Sequence, residues 1–301
     1  MTPQQKKIRK MLDEKHGILL VHYYARPEIQ EIADVLGDSL ALAGAAAKSD
    51  AGVIVFAGVH FMAQSAAMLS PQKIVLLPRA DAGCPLADRA DVPSVKEMRR
   101  KKPDALFVTY INSTAEVKAE SDICCTSSNA VRIIQTLPPS KKIVMLPDGN
   151  LARHVASVTG RDIIAWDGCC PIHQALTAGD IASCKKEYPQ ALFAAHPECR
   201  PEVLALADFV GSTAAILQFV RNSQAREMII GTEEGILTEL QKRNPEKKFI
   251  PASSALFCAD MKKITLDDIE RSLMTMQPVI TVSRDVSLAA KKTLDRMLAI
   301  S

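Results

Sequence analysis

Aromatic side chains are scarce in this 301-residue chain: one Trp, four Tyr and eight Phe, 4% in all. Stacking on nucleobases needs aromatics interleaved with basic residues, and no such stretch occurs. A surplus of one charge is also lacking. Lys and Arg number 37 against 34 Asp and Glu, a formal +3 spread along the chain. The longest basic cluster, Arg99–Lys102, reads as a solvated helix face. No apolar run reaches the roughly 20 residues of a membrane-spanning helix. The opening segment MTPQQKKIRKMLDEKHG reads as an amphipathic helix without the apolar core of a signal peptide. A cytoplasmic protein that binds neither nucleic acid nor membrane is therefore expected.

Cysteine pairs at zinc-ribbon spacing are missing too. Eight cysteines are present, but no C-x-x-C occurs, which excludes a local zinc ribbon. In a reducing compartment eight cysteines point to metal, catalysis or burial rather than to a disulfide framework. At 48% hydrophobic, the chain has ample material for a core, and its length suits two or three small domains.

What the chain does contain is a repeat. Segments starting at Ile18, Ala105 and Ala191 align on Glu28, Glu116 and Glu202, separated by 88 and 86 residues. Six residues on, each has an acid: Asp34, Asp122, Asp208. Eleven on, each has a hydroxyl: Ser39, Ser127, Thr213. Basic residues Lys73, Arg161 and Lys247 follow 45 past the anchors, and each repeat then reaches a cysteine: Cys84, Cys170, Cys258. Five columns in step indicate a triplication. Apolar runs of four to six residues alternate with helix-length segments in each repeat, the pattern of a parallel sheet covered on both faces. The fold expected is α/β: three similar α-β-α sandwich domains in a pseudo-threefold arrangement around a central active site. Residues 1–84 with 259–301 form the first, closed by both chain ends; 85–170 form the second and 171–258 the third.

In open parallel sheets, ligands bind at the carboxyl ends of strands. His22, Tyr110 and His196 fall at the end of each first strand, with Tyr24, Asn112 and Glu198 two residues on. A further column, His60, Asp148 and Glu234, follows the third strand. Ser39, Ser127 and Thr213 sit where a short strand gives way to a helix; N-capping explains each, and a positive helix end beside a hydroxyl also suits phosphate or carboxylate. The repeated acids suit a turn or backbone-bonding role. Three cysteines, one per domain, converge only around a common axis. On a four-iron cluster they would leave one iron without a protein ligand, open to act as a Lewis acid. Cys124 and Cys125 read as strand core. His173 is evenly balanced between function and structure.

The motifs resemble those of the quinolinate synthase family over nearly the whole chain. They are His22-x-Tyr24 followed by PEIQEIAD and GDSL, FAGVHFMA from Phe56, YINSTAEVKAESDICCTSSNA from Tyr110, LPDGNLA from Leu146, CPIH from Cys170, HPEC from His196, GST from Gly211 and CADMKKITL from Cys258. The resemblance implies a [4Fe–4S] cluster on Cys84, Cys170 and Cys258, with one open iron site. It implies condensation of iminoaspartate with dihydroxyacetone phosphate to quinolinate, phosphate and water, with L-aspartate oxidase as a transient source of the imine. Matching substrate-contacting positions are His22, Tyr24, Ser39, Tyr110, Asn112, Ser127, His196, Glu198, Ser212 and Thr213. Catalytic roles are expected for Glu198 as general base, with Tyr24, Tyr110 and His22; burial beside other acids is expected to raise the Glu198 pKa toward the working pH. The departures are Tyr23 and Ala25 where relatives usually carry Asn and Gln, Gly44-Ala45 for a basic pair, and Cys169 for an aromatic. Rival readings are another three-cysteine [4Fe–4S] hydro-lyase, an iron–sulfur sensor, and a sugar-phosphate binder.

Overall fold

The computed structural model describes residues 1–300. The first unit runs α1 (Pro3–Glu14), β1 (Gly17–His22), α2 (Pro27–Gln30), β2 (Val35–Gly37), α3 (Ser39–Lys48), β3 (Val53–Ala57), α4 (His60–Leu69) and β4 (Ile74–Leu76). The second runs α5 (Val92–Lys101), β5 (Leu106–Tyr110), α6 (Ala115–Ala119), β6 (Ile123–Cys125), α7 (Ala130–Thr136), β7 (Ile143–Leu146), α8 (Gly149–Thr159) and β8 (Ile163–Ala165). The third runs α9 (Pro171–Ala175), α10 (Ala178–Glu187), β9 (Leu192–Ala195), α11 (Pro201–Leu204), β10 (Phe209–Val210), α12 (Thr213–Asn222), β11 (Glu227–Gly231), α13 (Ile236–Arg243) and β12 (Lys248–Pro251). Two helices follow, α14 (Leu266–Thr275) and α15 (Arg284–Ala299). No described helix is long and apolar enough to cross a membrane.

Each unit contains one four-stranded parallel sheet, in the orders β2-β1-β3-β4, β6-β5-β7-β8 and β10-β9-β11-β12. The sheets are sandwiched between helices, so central strands such as VIVFA at Val53–Ala57 are buried at every residue. The order switches direction between the first and third strands of every unit. Beyond their carboxyl ends lies the crevice where such sheets bind ligands.

Two repeat columns have physical explanations in the fold. Asp34, Asp122 and Asp208 each accept a hydrogen bond from a first-strand N–H, at Leu19 (2.8 Å), Phe107 (2.7 Å) and Phe193 (2.7 Å). The acid therefore pins the first strand to the turn before the second, the backbone-bonding role expected of it. The cations Lys73, Arg161 and Lys247 donate to the last carbonyls of α3, α7 and α12 or just beyond. Arg161 bonds Ile134 O and Leu137 O at 3.1 and 2.9 Å, and Lys247 bonds Val220 O and Ser223 O at 2.5 and 2.7 Å. Lys73 bonds Ala46 O and Ser49 O in the same way. A cation at the negative end of a helix satisfies orphan carbonyls and favours the dipole.

The units dock in a cycle. Gln64 of α4 accepts from Ala115 N of the second unit (3.3 Å). Asn150 of α8 donates to Glu198 O of the third (3.0 Å). Gly235 O of the third accepts from Gln30 of the first (3.1 Å). The chain ends fasten this ring. α14 lies on α1, with Lys7 paired to Glu270 at 2.5 Å. α15 packs on α4 of the first unit and also on α6 and β6 of the second, where Thr293 Oγ1 meets Cys124 Sγ at 3.0 Å. Its seat is thus a seam between two units rather than the first unit alone.

Candidate active site

The three switch-point crevices open onto two adjoining cavities. The larger, about 190 Å³, is lined by Cys84, Cys170 and Cys258, one from each unit, together with Phe61, His173 and Glu233. The smaller, about 40 Å³, is lined by His22, Ser39, Tyr110, Ser127, His196 and Thr213. Tyr24, Asn112 and Glu198 line both. The residues expected from the repeat and the motifs are thus brought together, and Ser212 lies just beside them, its hydroxyl spent on capping α12 by accepting from Ala215 N (3.2 Å).

His22 and His196 hold matching places and matching tautomers. Tyr24 N donates to His22 Nδ1 (3.1 Å), and Glu198 N donates to His196 Nδ1 (3.4 Å). With Nδ1 an acceptor, the neutral ring carries its proton on Nε2. In His196 that nitrogen meets Ser127 Oγ at 3.2 Å. Burial lowers both rings to about 3, helped at His22 by the Lys262 charge, so both are neutral donors near pH 7.

The hydroxyl column sits one residue off its expected job. Asp38 and Ser212, not Ser39 and Thr213, cap α3 and α12, and Asn129 stands at the cap of α7. Ser39 and Thr213 occupy the first helical turn and line the small cavity. The dipeptides Asp-Ser and Ser-Thr each offer two capping side chains, and the first takes the cap because only it has the extended backbone required.

The third-strand column also shifts. Strand pairing brings Val59, Asp148 and Glu233 into register, because the second unit is one residue longer between its anchor and its third strand. Glu234 is exposed. Asp148 Oδ2 accepts from Cys170 N (3.0 Å), and Glu233 Oε1 accepts from Cys258 N (3.1 Å) while pairing with Lys262 (2.8 Å). Each carboxylate fixes the backbone of one cavity cysteine.

Glu198 is buried. Burial alone would push its carboxyl up, but His173 and His196 beside it outweigh burial and hold it below the ordinary range. This overturns the expectation of a raised value. Its Oε2 lies 2.7 Å from His173 Nδ1, while Oε1 is buried without a partner, as is Asn112 Oδ1. The group pushed up is Asp148, to about 7, by burial and by the charge of Glu198. Buried Tyr24 and Tyr110 are driven well above their usual value, chiefly by burial, so both hold their protons.

A hydrogen-bonded chain joins these groups. From Glu198 it runs to His173, then from His173 Nε2 to Thr232 Oγ1 (2.9 Å), to the Tyr24 hydroxyl (2.6 Å) and on to Thr213 Oγ1 (2.9 Å). His173, evenly weighed from sequence, belongs to the site; its signal was its place three residues after Cys170, on the first turn of α9. Thr232 carried no signal, since Gly58 and Pro147 stand opposite it in the other units.

The ligating atoms of Cys170, His173 and Glu198 lie within 4.8 Å of one another, close enough to hold a metal ion. Burial pushes the Cys84 thiol up to about 12 and raises Cys170 and Cys258 as well. Thiols so buried become thiolates when a bound cation compensates them.

Three sheets meeting at a thiol-lined cavity that adjoins a pocket of neutral His, Tyr and Ser define an enzyme centre shared by three α/β units. The comparisons with known proteins agree with that class and narrow it. A family model described as quinolinate synthetase A protein matches residues 6–299. The chain is 54% identical over 293 residues to quinolinate synthase of Geotalea uraniireducens (strain Rf4), covering 97% of this chain and 96% of the relative. It is 54% identical over 297 residues to that of Pelobacter propionicus (98% and 97%) and 49% identical over 295 residues to quinolinate synthase 1 of Methanosarcina acetivorans (98% and 97%). The chain belongs to the quinolinate synthase family.

Proposed function

We propose that this chain condenses iminoaspartate with dihydroxyacetone phosphate to give quinolinate, phosphate and water for NAD biosynthesis, using a [4Fe–4S] cluster on Cys84, Cys170 and Cys258. One observation carries the reading: a cysteine from each unit lines a single cavity that shares Tyr24, Asn112 and Glu198 with the polar pocket. The donor set fits such a cluster. Among the described residues these thiols are the only cysteines on that wall, and two orphaned buried oxygens, Glu198 Oε1 and Asn112 Oδ1, belong to residues facing the same space. When bound, the cluster would supply a Lewis acid at the iron that lacks a protein ligand.

The protein groups then divide the work. The first turns of α3 and α12, at Ser39 and at Ser212-Thr213, present free N–H groups to anionic oxygens. Ser127 and the Nε2–H donors of His22 and His196 add neutral hydrogen bonds. In this reading His22, Ser39 and His196 hold the dicarboxylate, while Asn112, Ser127, Ser212 and Thr213 hold the triose phosphate. Glu198 Oε1, ionised and unpaired, accepts the proton from the imino acid carbon that attacks as phosphate leaves. Tyr24 and Tyr110 keep their protons and donate to developing oxygen charge. The chain from Glu198 through His173 and Thr232 to Tyr24 offers a route for returning a proton during ring closure and dehydration.

The test is an anaerobic one. Protein reconstituted with iron and sulfide is given freshly generated iminoaspartate and dihydroxyacetone phosphate. Cluster-dependent quinolinate is expected. No quinolinate from protein with a verified cluster would overturn the reading and favour the hydro-lyase or sensor alternatives.

A further inference from the structure

Lys118, on α6, is completely buried, at 0% exposure. Its ammonium donates to Ser113 O and sits 5.4 Å from the centre of the Phe61 ring. Ser113 ends the turn that begins at Tyr110 and carries Asn112; its own hydroxyl bonds back to Tyr110 O (3.0 Å). The contact therefore clamps a loop that contributes two residues to the active site.

The repeat shows that this clamp requires no charge. Lys118 stands two residues past its anchor glutamate; Gln30 holds the same place in the first unit and Leu204 in the third. Gln30 Nε2 donates to Ala25 O (2.8 Å), the position equivalent to Ser113, and to Tyr23 O (2.9 Å). A neutral amide thus does the same job around Tyr24. A buried ammonium is expensive without an anion to offset it. Among the described residues no Asp or Glu pairs with Lys118 at salt-bridge distance, and Glu116, nearest in sequence, is exposed. The groups of negative character that act on it are, in order of weight, Cys124, Cys84 and the exposed Glu116. Cys124 is a buried thiol engaged with Thr293. Cys84 is the cavity cysteine, and it shares the cavity wall with Phe61. Burial lowers the ammonium to about 8, and negative charge on Cys124, Cys84 or Glu116 works in the opposite direction.

We infer that Lys118 is a positioning residue with two jobs: it clamps the Tyr110–Thr114 turn, and its buried positive charge offsets the net negative charge of a three-thiolate cluster beside Cys84. The inference rests on the cluster reading above. A two-plus iron–sulfur core held by three thiolates is an anion, and the charge and hydrogen bonding around such a cluster set its potential. Taking away a buried cation makes the addition of an electron harder.

The experiment compares wild type, Lys118→Gln and Lys118→Met, reconstituted anaerobically and matched for iron and sulfide. Lys118→Gln copies the first unit: it keeps the clamp and removes the charge. Its apo form should melt with wild type, while its cluster midpoint moves to lower potential. At the wild-type midpoint the reduced-to-oxidised ratio should fall tenfold or more, about 59 mV for a one-electron couple. Lys118→Met loses the clamp as well and should show the same potential shift with an earlier apo melt, so either variant that folds suffices. An unchanged midpoint in a variant with a verified cluster overturns the role of the charge while leaving the cluster reading intact. Failure of wild type itself to take up a cluster overturns that reading, and the inference with it.

Discussion

Replacing Glu198 with Gln separates chemistry from stability at the centre of the site. The carboxylate is fully buried, one oxygen bound to His173 at 2.7 Å and the other unpaired. Gln retains volume and an acceptor for His173, and it removes a charge whose desolvation is costly. Exchange of a buried charged group for a neutral one of similar shape is close to neutral when partners stay satisfied, so a change within about 1 kcal/mol is expected. Loss of a general base costs about 10²–10⁴ in rate, or about 2.7–5.4 kcal/mol of barrier. The assay is quinolinate formation by wild type and variant carrying equal iron and sulfide, paired with urea unfolding of both apo proteins. A variant with turnover within threefold of wild type would refute the assignment of the base. A variant destabilised by more than about 3 kcal/mol would refute the claim that the amide replaces the carboxylate without structural cost.

Acid should weaken the apo protein through its buried histidines. His22 and His196 fall to about 3 in the fold against 6.5 outside it, so their contribution is full above pH 6.5 and is lost as pH drops toward 3, about 1.4 kcal/mol per pH unit each. Asp148, raised to about 7 from 3.8, works in the opposite sense over pH 7 to 4. The net slope near pH 5.5 should correspond to about one proton, and Asp148→Asn should bring it toward two; urea unfolding at several pH values reads the slope, and a flat profile contradicts the account. Thr232→Val breaks the chain between His173 and Tyr24 at its 2.9 and 2.6 Å links. Stranding those buried groups should cost about 1–3 kcal/mol in thermal or urea unfolding, with Thr232→Ser near wild type; a loss in Thr232→Ser with none in Thr232→Val would show that the methyl group, not the hydroxyl, is what counts.

Most of the site was legible because the gene-level repeat writes the same address three times. His22, Tyr110 and His196 could be placed at strand ends from spacing alone, and the cysteine column could be matched before any distance was known. The misses lie where side-chain choice depends on a neighbour from another segment. Asp38 and Ser39 are both good caps, and only backbone conformation separates them. Glu233 and Glu234 are identical residues distinguished by the register of β11. The Glu198 carboxyl is lowered rather than raised because His173, 25 residues earlier in the chain, folds against it. Thr232 has no counterpart in the other repeats, and α15 was placed by a surface made jointly by two units, which no single repeat encodes.

The central claim is that one centre draws a ligand from each unit. Iron and acid-labile sulfide should therefore be counted in anaerobically reconstituted wild type and in Cys258→Ser, with Cys199→Ser as the buried-cysteine control outside the cavity. The account predicts a four-iron cluster in wild type and in Cys199→Ser, and its loss in Cys258→Ser. A full, stable four-iron complement in Cys258→Ser would contradict it.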